Sequence, residues 1–262
     1  MTISFLKYHG AGNDFIMIDS RDKDISFFSE KNVSLLCNRH TGIGADGLIL
    51  LQKDYEADFR MKYYNSDGRE GTMCGNGGRC ITAFARKLGI IKDSATFAGI
   101  DGIHKSTIDK NGNVNLKMID VSNIKMFEDG YLLDTGSMHF VIFRKDLHSI
   151  DVYKEGKELR YQDRFGVAGT NVNFVSSISN NELKVRTYER GVENETLACG
   201  TGAVASAISS FLKNKTDKTS YLIHASGGDL YVRFETPDKI NFKNIWLEGP
   251  TEYVFSGEIK LP

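Results

Sequence analysis

Proline is scarce in this chain, at 3 of 262 residues, and cysteine nearly as scarce, at 4. So little proline excludes rigid linkers. Four cysteines are too few for a disulfide scaffold at this length. They show no CxxC spacing, and His104, His139 and His148 form no HxxxH pair, so no metal site is expected. Charge of one sign is not in excess: the net charge is −1. Nothing here would attract nucleic acid or an anionic membrane. No apolar run approaches the ~18 residues of a membrane span. The opening MTISFLKYHG lacks the charged and apolar regions of a signal peptide. Reduced thiols and a cytoplasmic location are the expectation. Glycine, by contrast, is abundant at 26 residues, which favours tight turns and close backbone approaches. With 40% hydrophobic and 26% charged residues the chain reads as globular, with one large domain or two smaller ones.

Most of the chain reads as short strands: Ile3–Tyr8, Asp14–Asp19, Leu48–Gln52, Phe59–Tyr64, Val114–Ile119, His139–Phe143, Asn173–Ser177, Leu183–Tyr188, Tyr221–Ala225 and Leu230–Phe234. Phe59, Met61 and Tyr63 alternate with Arg60, Lys62 and Tyr64. Turns at Asp67-Gly68, Asn111-Gly112 and Gly227-Gly228 separate strands, and the spacing suggests antiparallel sheets more than βαβ units. Three helices are expected. One runs from Ser29, a possible N-cap, to Arg39. One starts at Cys74 and ends near Gly89, a plausible C′ glycine, with Ile81, Phe84, Ala85 and Leu88 at helical spacing. The third runs from Cys199 to about Lys213 and carries no charge from Gly202 to Leu212, the mark of a helix buried all round.

The second and third helices start alike. Cys74-Gly75-Asn76-Gly77 and Cys199-Gly200-Thr201-Gly202 each follow a polar loop and lead into a small-residue amphipathic run. A free cysteine is usually a small buried hydrophobe, and Cys37 and Cys80 read that way. A thiol at a helix N-terminus is more readily ionised. Two matched sites, one per half, suggest two thiols acting on one atom from opposite sides. CGNGGR could also hold an anion, but it is not GxGxxG. A redox disulfide between Cys74 and Cys199 stays open.

Read together, HGAGNDF, NRHTGIGAD, YNSDG, CGNGGRC, TNVNF, YERG and ACGTGA, in that order, resemble the diaminopimelate epimerase family from about His9 to Gly202. The resemblance implies an α+β fold of two pseudosymmetric lobes, mainly of antiparallel strands, each wrapped around a central helix. The lobes would be residues 1–120, with a returning tail at 251–262, and 121–250. It implies a cofactor-independent isomerase that interconverts LL- and meso-diaminopimelate for lysine and cell-wall synthesis, acting as a homodimer. Cys74 and Cys199 would be the acid–base pair, with His139 and Glu189 tuning their pKa. Asn13, Asn65, Asn171, Glu189 and Arg190 would hold the polar ends of the substrate. Gly75, Asn76, Gly200 and Thr201 would meet its α-carboxylate.

Three positions depart from the family pattern. Ser137-Met138-His139 stands where Asn-Pro-His is frequent, so Ser137 would replace an amide. Gly47 stands where some members have glutamine. Phe255 stands where a tyrosine is tied to dimerisation. Two other readings remain: a related two-cysteine racemase, against whose proline form Arg190 and the asparagines argue, and a thiol–disulfide redox protein. A binding module for amino acids would leave the paired thiols unexplained.

Overall fold

The structure is a computed structural model that describes residues 2–260. Leu261 and Pro262 of the expected tail lie outside the described residues. The described chain divides into two compact units, residues 2–116 with 249–260, and residues 117–248.

In the first unit, β1 (Thr2–Gly10) pairs antiparallel with β2 (Asn13–Asp19). Helix α1 (Glu30–Cys37) then crosses to β3 (Gly47–Gln52), which lies parallel to β2. β4 (Phe59–Asn65) returns antiparallel to β3. Helix α2 (Gly75–Lys87) crosses to β5 (Ser94–Gly99), parallel to β4. β6 (Gly102–Ile108) and β7 (Val114–Lys117) follow in antiparallel hairpins.

The second unit repeats this plan. After β8 (Lys125–Met126), β9 (Tyr131–Asp134) pairs antiparallel with β10 (Met138–Phe143). Helix α3 (Val152–Arg160) crosses to β11 (Asn171–Ser179), parallel to β10. β12 (Glu182–Glu189) returns antiparallel. β13 (Asn194–Thr196) pairs with β12, and helix α4 (Gly200–Asn214) crosses to β14 (Ser220–Ala225), parallel to β12. β15 (Gly228–Glu235) and β16 (Lys243–Gly249) complete the unit in antiparallel pairs. The last strand, β17 (Glu252–Lys260), lies antiparallel to β1.

The α+β expectation therefore holds, with one correction. Each α-helix is the crossover of a βαβ unit, although the spacing had pointed away from such units. A helix between two strands gives the connection the length that parallel pairing requires. The antiparallel hairpins lie between these crossovers.

Local chemistry explains the helix ends. Ser29 caps α1 and accepts from the Asn32 N–H. The helix stops at Cys37, earlier than the expected Arg39, because Asn38 turns the chain: its Oδ1 accepts from the N–H groups of His40 and Thr41. Helix α2 ends in a Schellman motif at Gly89, whose φ is +72°. The Gly89 N–H donates to Arg86 O and the Ile90 N–H to Ala85 O, each at 3.0 Å.

Helix α3 is an addition to the expected three. Its buried residues are Val152, Gly156 and Arg160, four apart, and only one of them is a large apolar residue. Gly156 sits there because a Cβ would overlap Tyr188 of β12. Strands β5, β6, β8, β9, β13, β16 and β17 are also additions.

The cores follow from this topology. Ile16, Ile18, Leu48 and Leu50 meet Val33 and Leu36 of α1. Phe140, Ile142, Val172 and Phe174 meet Val152 and Tyr188 in the second unit. Each such side chain stabilises by roughly 1.5–3 kcal/mol when fully buried. Helices α2 and α4 are buried from their first turns through Ala85 and Phe211 respectively, apart from Ala83 and Thr201, which are half-buried. Their small residues let each lie directly on a sheet.

Candidate active site

Each unit presents one thiol in the same way. Cys74 is the N-cap of α2 and Cys199 the N-cap of α4, with φ/ψ of −104°/119° and −122°/114°. The carbonyl of each accepts the first helical hydrogen bond, from Gly78 N at 2.8 Å and from Ala203 N at 2.9 Å. Both cysteines are half-buried, whereas Cys37 and Cys80 are buried, and none of the four is in a disulfide. Burial pushes the Cys37 thiol up to about 12 and raises Cys80 as well. The first turn of any helix carries N–H groups with no intrahelical acceptor, together with the positive end of the dipole. Gly75, Asn76, Gly200 and Thr201 stand in those turns.

In the first unit, Asn13 and Asn76 gather at Cys74. The Cys74 S–H donates to Asn13 Oδ1 at 3.7 Å, and Asn76 Nδ2 donates to the same oxygen at 3.1 Å. Asn13 Nδ2 in turn donates to Asp46 Oδ2 at 2.8 Å. Arg79 Nη2 donates to Asn76 Oδ1 at 2.9 Å. Sequence reasoning assigned no role to Asp46 or Arg79. Arg79 had a visible signal, as the one charged residue of the first turns of α2. Asn65, at the end of β4, accepts from the Tyr63 hydroxyl at 2.9 Å. Gly47 is required where it stands, because a Cβ would come within 2.6 Å of the Tyr63 ring and of Tyr64 O.

In the second unit, Ser137, His139, Asn171 and Thr201 gather at Cys199. Cys199 Sγ lies 3.4 Å from Thr201 Oγ1, which lies 2.9 Å from His139 Nε2. Ser137 Oγ is 3.0 Å from the same ring nitrogen and accepts from Asn171 Nδ2 at 3.2 Å. His139 Nδ1 is 2.7 Å from Asn173 Oδ1, and Asn173 Nδ2 donates to Thr187 Oγ1 at 3.0 Å. That amide orientation puts the ring proton on Nδ1 and leaves Nε2 as acceptor for the Thr201 or Ser137 hydroxyl. His139 is fully buried, and desolvation pulls its pKa down to about 4. It is neutral at pH 7.

Asn173 is a further residue that sequence reasoning left without a role. Gly202 makes room for it, since a Cβ there would overlap Asn173 Nδ2. Asn171 and Glu189 lie within strands, at the start of β11 and the end of β12, and not beside them as the strand bounds had suggested. Glu189 Oε2 accepts from Thr196 Oγ1 at 3.0 Å. The Arg190 N–H donates to Asn171 Oδ1 at 2.8 Å, and its side chain is exposed. Phe255, half-exposed on β17, meets Phe5 edge to face at 5.8 Å. Among the described residues no cluster of His, Cys, Asp or Glu could hold a metal ion, and no helix is long and apolar enough to cross a membrane.

The family model described as diaminopimelate epimerase matches residues 5–124 and 131–251. The chain is 50% identical over 256 residues to the diaminopimelate epimerase of Flavobacterium psychrophilum, covering 97% of this chain and 98% of that one. It is 39% identical over 277 residues to the diaminopimelate epimerase of Aquifex aeolicus, covering 98% of each. Among solved structures, a phenazine biosynthesis protein of Bacillus anthracis shares the fold at a TM-score of 0.74 and 15% identity, over 100% of both chains. A hydroxyproline epimerase of Agrobacterium vitis does so at 0.67 and 15%, over 98% of this chain and 92% of that one. By family model and by sequence identity along nearly its whole length, the chain belongs to the diaminopimelate epimerase family.

Proposed function

We propose that the protein interconverts LL- and meso-diaminopimelate without a cofactor, in the supply of lysine and peptidoglycan precursors. The observation that carries this reading is the matched pair of thiols, Cys74 and Cys199, each an N-cap with nearly the same backbone conformation. Epimerisation takes a proton from one face of Cα and returns one to the other, so it needs two acid–base groups. One cysteine acts as thiolate and removes the proton. The electron pair left on Cα delocalises into the adjoining carboxylate. The other cysteine, as thiol, delivers its proton to the opposite face and becomes the thiolate, and the reverse reaction exchanges the roles.

A free thiol ionises near 8.5, roughly, and lower at a helix N-terminus, so both forms are accessible near neutral pH. The first-turn N–H groups at Gly75, Asn76, Gly200 and Thr201 suit the substrate carboxylate, and their dipoles favour the charge that develops there. Asn13, Asn65, Ser137, Asn171 and Arg190 suit the remaining polar groups, and Glu189 suits an ammonium. His139 is read as tuning Cys199 through Thr201. The half-exposed Val254 and Phe255 on β17 suit a contact between two copies of the chain. A cytoplasmic location follows from the reduced-thiol chemistry this mechanism needs.

The test is turnover of LL-diaminopimelate in D₂O by chelator-treated, dialysed enzyme. One deuterium should enter at an α-carbon of the epimerised product. Cys74→Ala and Cys199→Ala should each abolish it, whereas Cys37→Ala and Cys80→Ala should act through stability. Near-normal turnover by either of the first two variants would falsify the two-thiol reading.

A further inference from the structure

Arg79 is fully buried in the first unit. Its Nη2 bonds Asn76, and its Nε and Nη1 have no hydrogen-bond partner. An arginine keeps its charge in a protein, and a buried charge without a counter-ion costs several kcal/mol. Such a residue is retained against that cost, and its surroundings point to what it serves.

The carboxylates on the strands packed against α2 are engaged elsewhere. Asp14 of β2 pairs with Lys7 and Arg39, and Asp19 with Arg21. Tyr8 of β1 is pushed up to about 12 by burial and stays neutral. His9 of β1 pairs with Glu252 at 3.5 Å, and His104 of β6 with Asp101 at 2.8 Å. β3 has no titratable side chain; β4 brings Tyr63, whose hydroxyl donates to Asn65, Tyr64, which lies under Lys62, and two cations, Arg60 and Lys62, each paired with an acid outside α2. On α2 itself the ionisable neighbours are Cys80, which burial holds as a thiol, and the cap residue Cys74.

From Arg79 a hydrogen-bonded path leads to that cap: Arg79 to Asn76, Asn76 to Asn13, and Asn13 against the Cys74 sulfur. Arg79 can only donate, so Asn76 must turn its oxygen towards it and its amide nitrogen towards Asn13. The second unit has no equivalent. Five residues after Cys74 stands Arg79; five residues after Cys199 stands Val204. Cys199 instead meets the hydroxyl of Thr201, which in turn bonds a neutral histidine, His139.

We propose that Arg79 is a positioning residue of the Cys74 half of the site: it orients Asn76 and Asn13, and its buried charge stabilises the Cys74 thiolate, so that Cys74 is the more acidic of the two thiols. The S–H contact to Asn13 favours the protonated form, but a thiol is a weak donor and loses little when that bond is given up. A full charge in a buried setting acts over a longer range and outweighs it. The role rests on reading Cys74 as an acid–base group, and its test does not depend on turnover.

The rate of alkylation of each cysteine by iodoacetamide is followed against pH by peptide mass spectrometry. The midpoint of each curve reports ionisation and is indifferent to access. In the wild type the Cys74 midpoint should lie about one pH unit or more below that of Cys199, roughly a tenfold difference in thiolate at a pH below both midpoints. Arg79→Met should raise the Cys74 midpoint by a similar amount and leave Cys199 in place. Arg79→Lys, which keeps the charge and a donor, should restore most of it. A wild-type Cys74 midpoint at or above that of Cys199 overturns the proposal, and that comparison decides it even if Arg79→Met does not fold. A folded Arg79→Met with an unmoved Cys74 also overturns it. A protein that shifts as expected but does not epimerise diaminopimelate keeps the Arg79 role and loses the substrate.

Discussion

Replacing His139 by glutamine removes a titratable group that the fold keeps neutral, and the consequence for acid stability can be worked from the structure. Desolvation of the fully buried ring pulls its pKa from 6.5 to about 4. Between these values the unfolded chain binds a proton that the folded chain refuses. The native state is therefore penalised as pH falls through 6.5, and the penalty stops growing below about 4. The whole gap is worth about 3 kcal/mol, of which about 2 kcal/mol is spent by pH 5.

The single tryptophan, Trp246, lies in the same unit, so its fluorescence during urea unfolding reports the relevant transition. Glutamine can keep one of the bonds to Thr201 or Asn173, and its baseline stability should be lower than that of wild type at pH 7.5. The informative quantity is the slope. Between pH 7.5 and pH 5 the wild type should lose about 2 kcal/mol more than His139→Gln. Equal losses in the two proteins would refute a buried, neutral His139 and, with it, the proton assignment that makes Nε2 the acceptor facing Thr201.

Two glycines should respond differently to alanine. Gly202→Ala drives a methyl into Asn173 and should cost roughly 1–3 kcal/mol in the Trp246 transition while disturbing the Asn173–His139 bond and turnover. Gly89→Ala meets nothing within 4 Å and carries only the strain of φ +72°, so it should cost about 1 kcal/mol and spare activity; equal effects at the two sites would count against the packing argument. Arg190→Met, at an exposed side chain, should change stability by no more than about 0.5 kcal/mol while sharply reducing diaminopimelate turnover. The wild type should reject lysine, which lacks the second carboxylate that Arg190 would fork. Full activity in Arg190→Met, or lysine racemised as fast as diaminopimelate, would remove the distal-carboxylate assignment.

What the sequence determined by itself is what short-range chemistry decides. Ser29 caps α1, Gly89 ends α2 in the left-handed region, and Cys74 and Cys199 open the two buried helices, because caps and turns depend on residues a few positions apart. The motifs that carry the family resemblance are equally local. Other features needed the tertiary structure. Helix α3 buries a glycine and an arginine, and Gly156 makes sense only against Tyr188, which lies on another strand. The parallel partner of a strand lies beyond an intervening helix, so hydrophobic alternation within the strand does not name it. Asn13 and Cys74 are 61 residues apart, and His139 and Thr201 are 62 apart. The two networks, one ending in a buried cation and the other in a neutral histidine, exist only because sheet register brings those side chains within hydrogen-bond reach. Burial then acts on both in the same direction: desolvation lowers each pKa, which holds His139 neutral well below its ordinary range, while Arg79, an intrinsically strong base, keeps its charge.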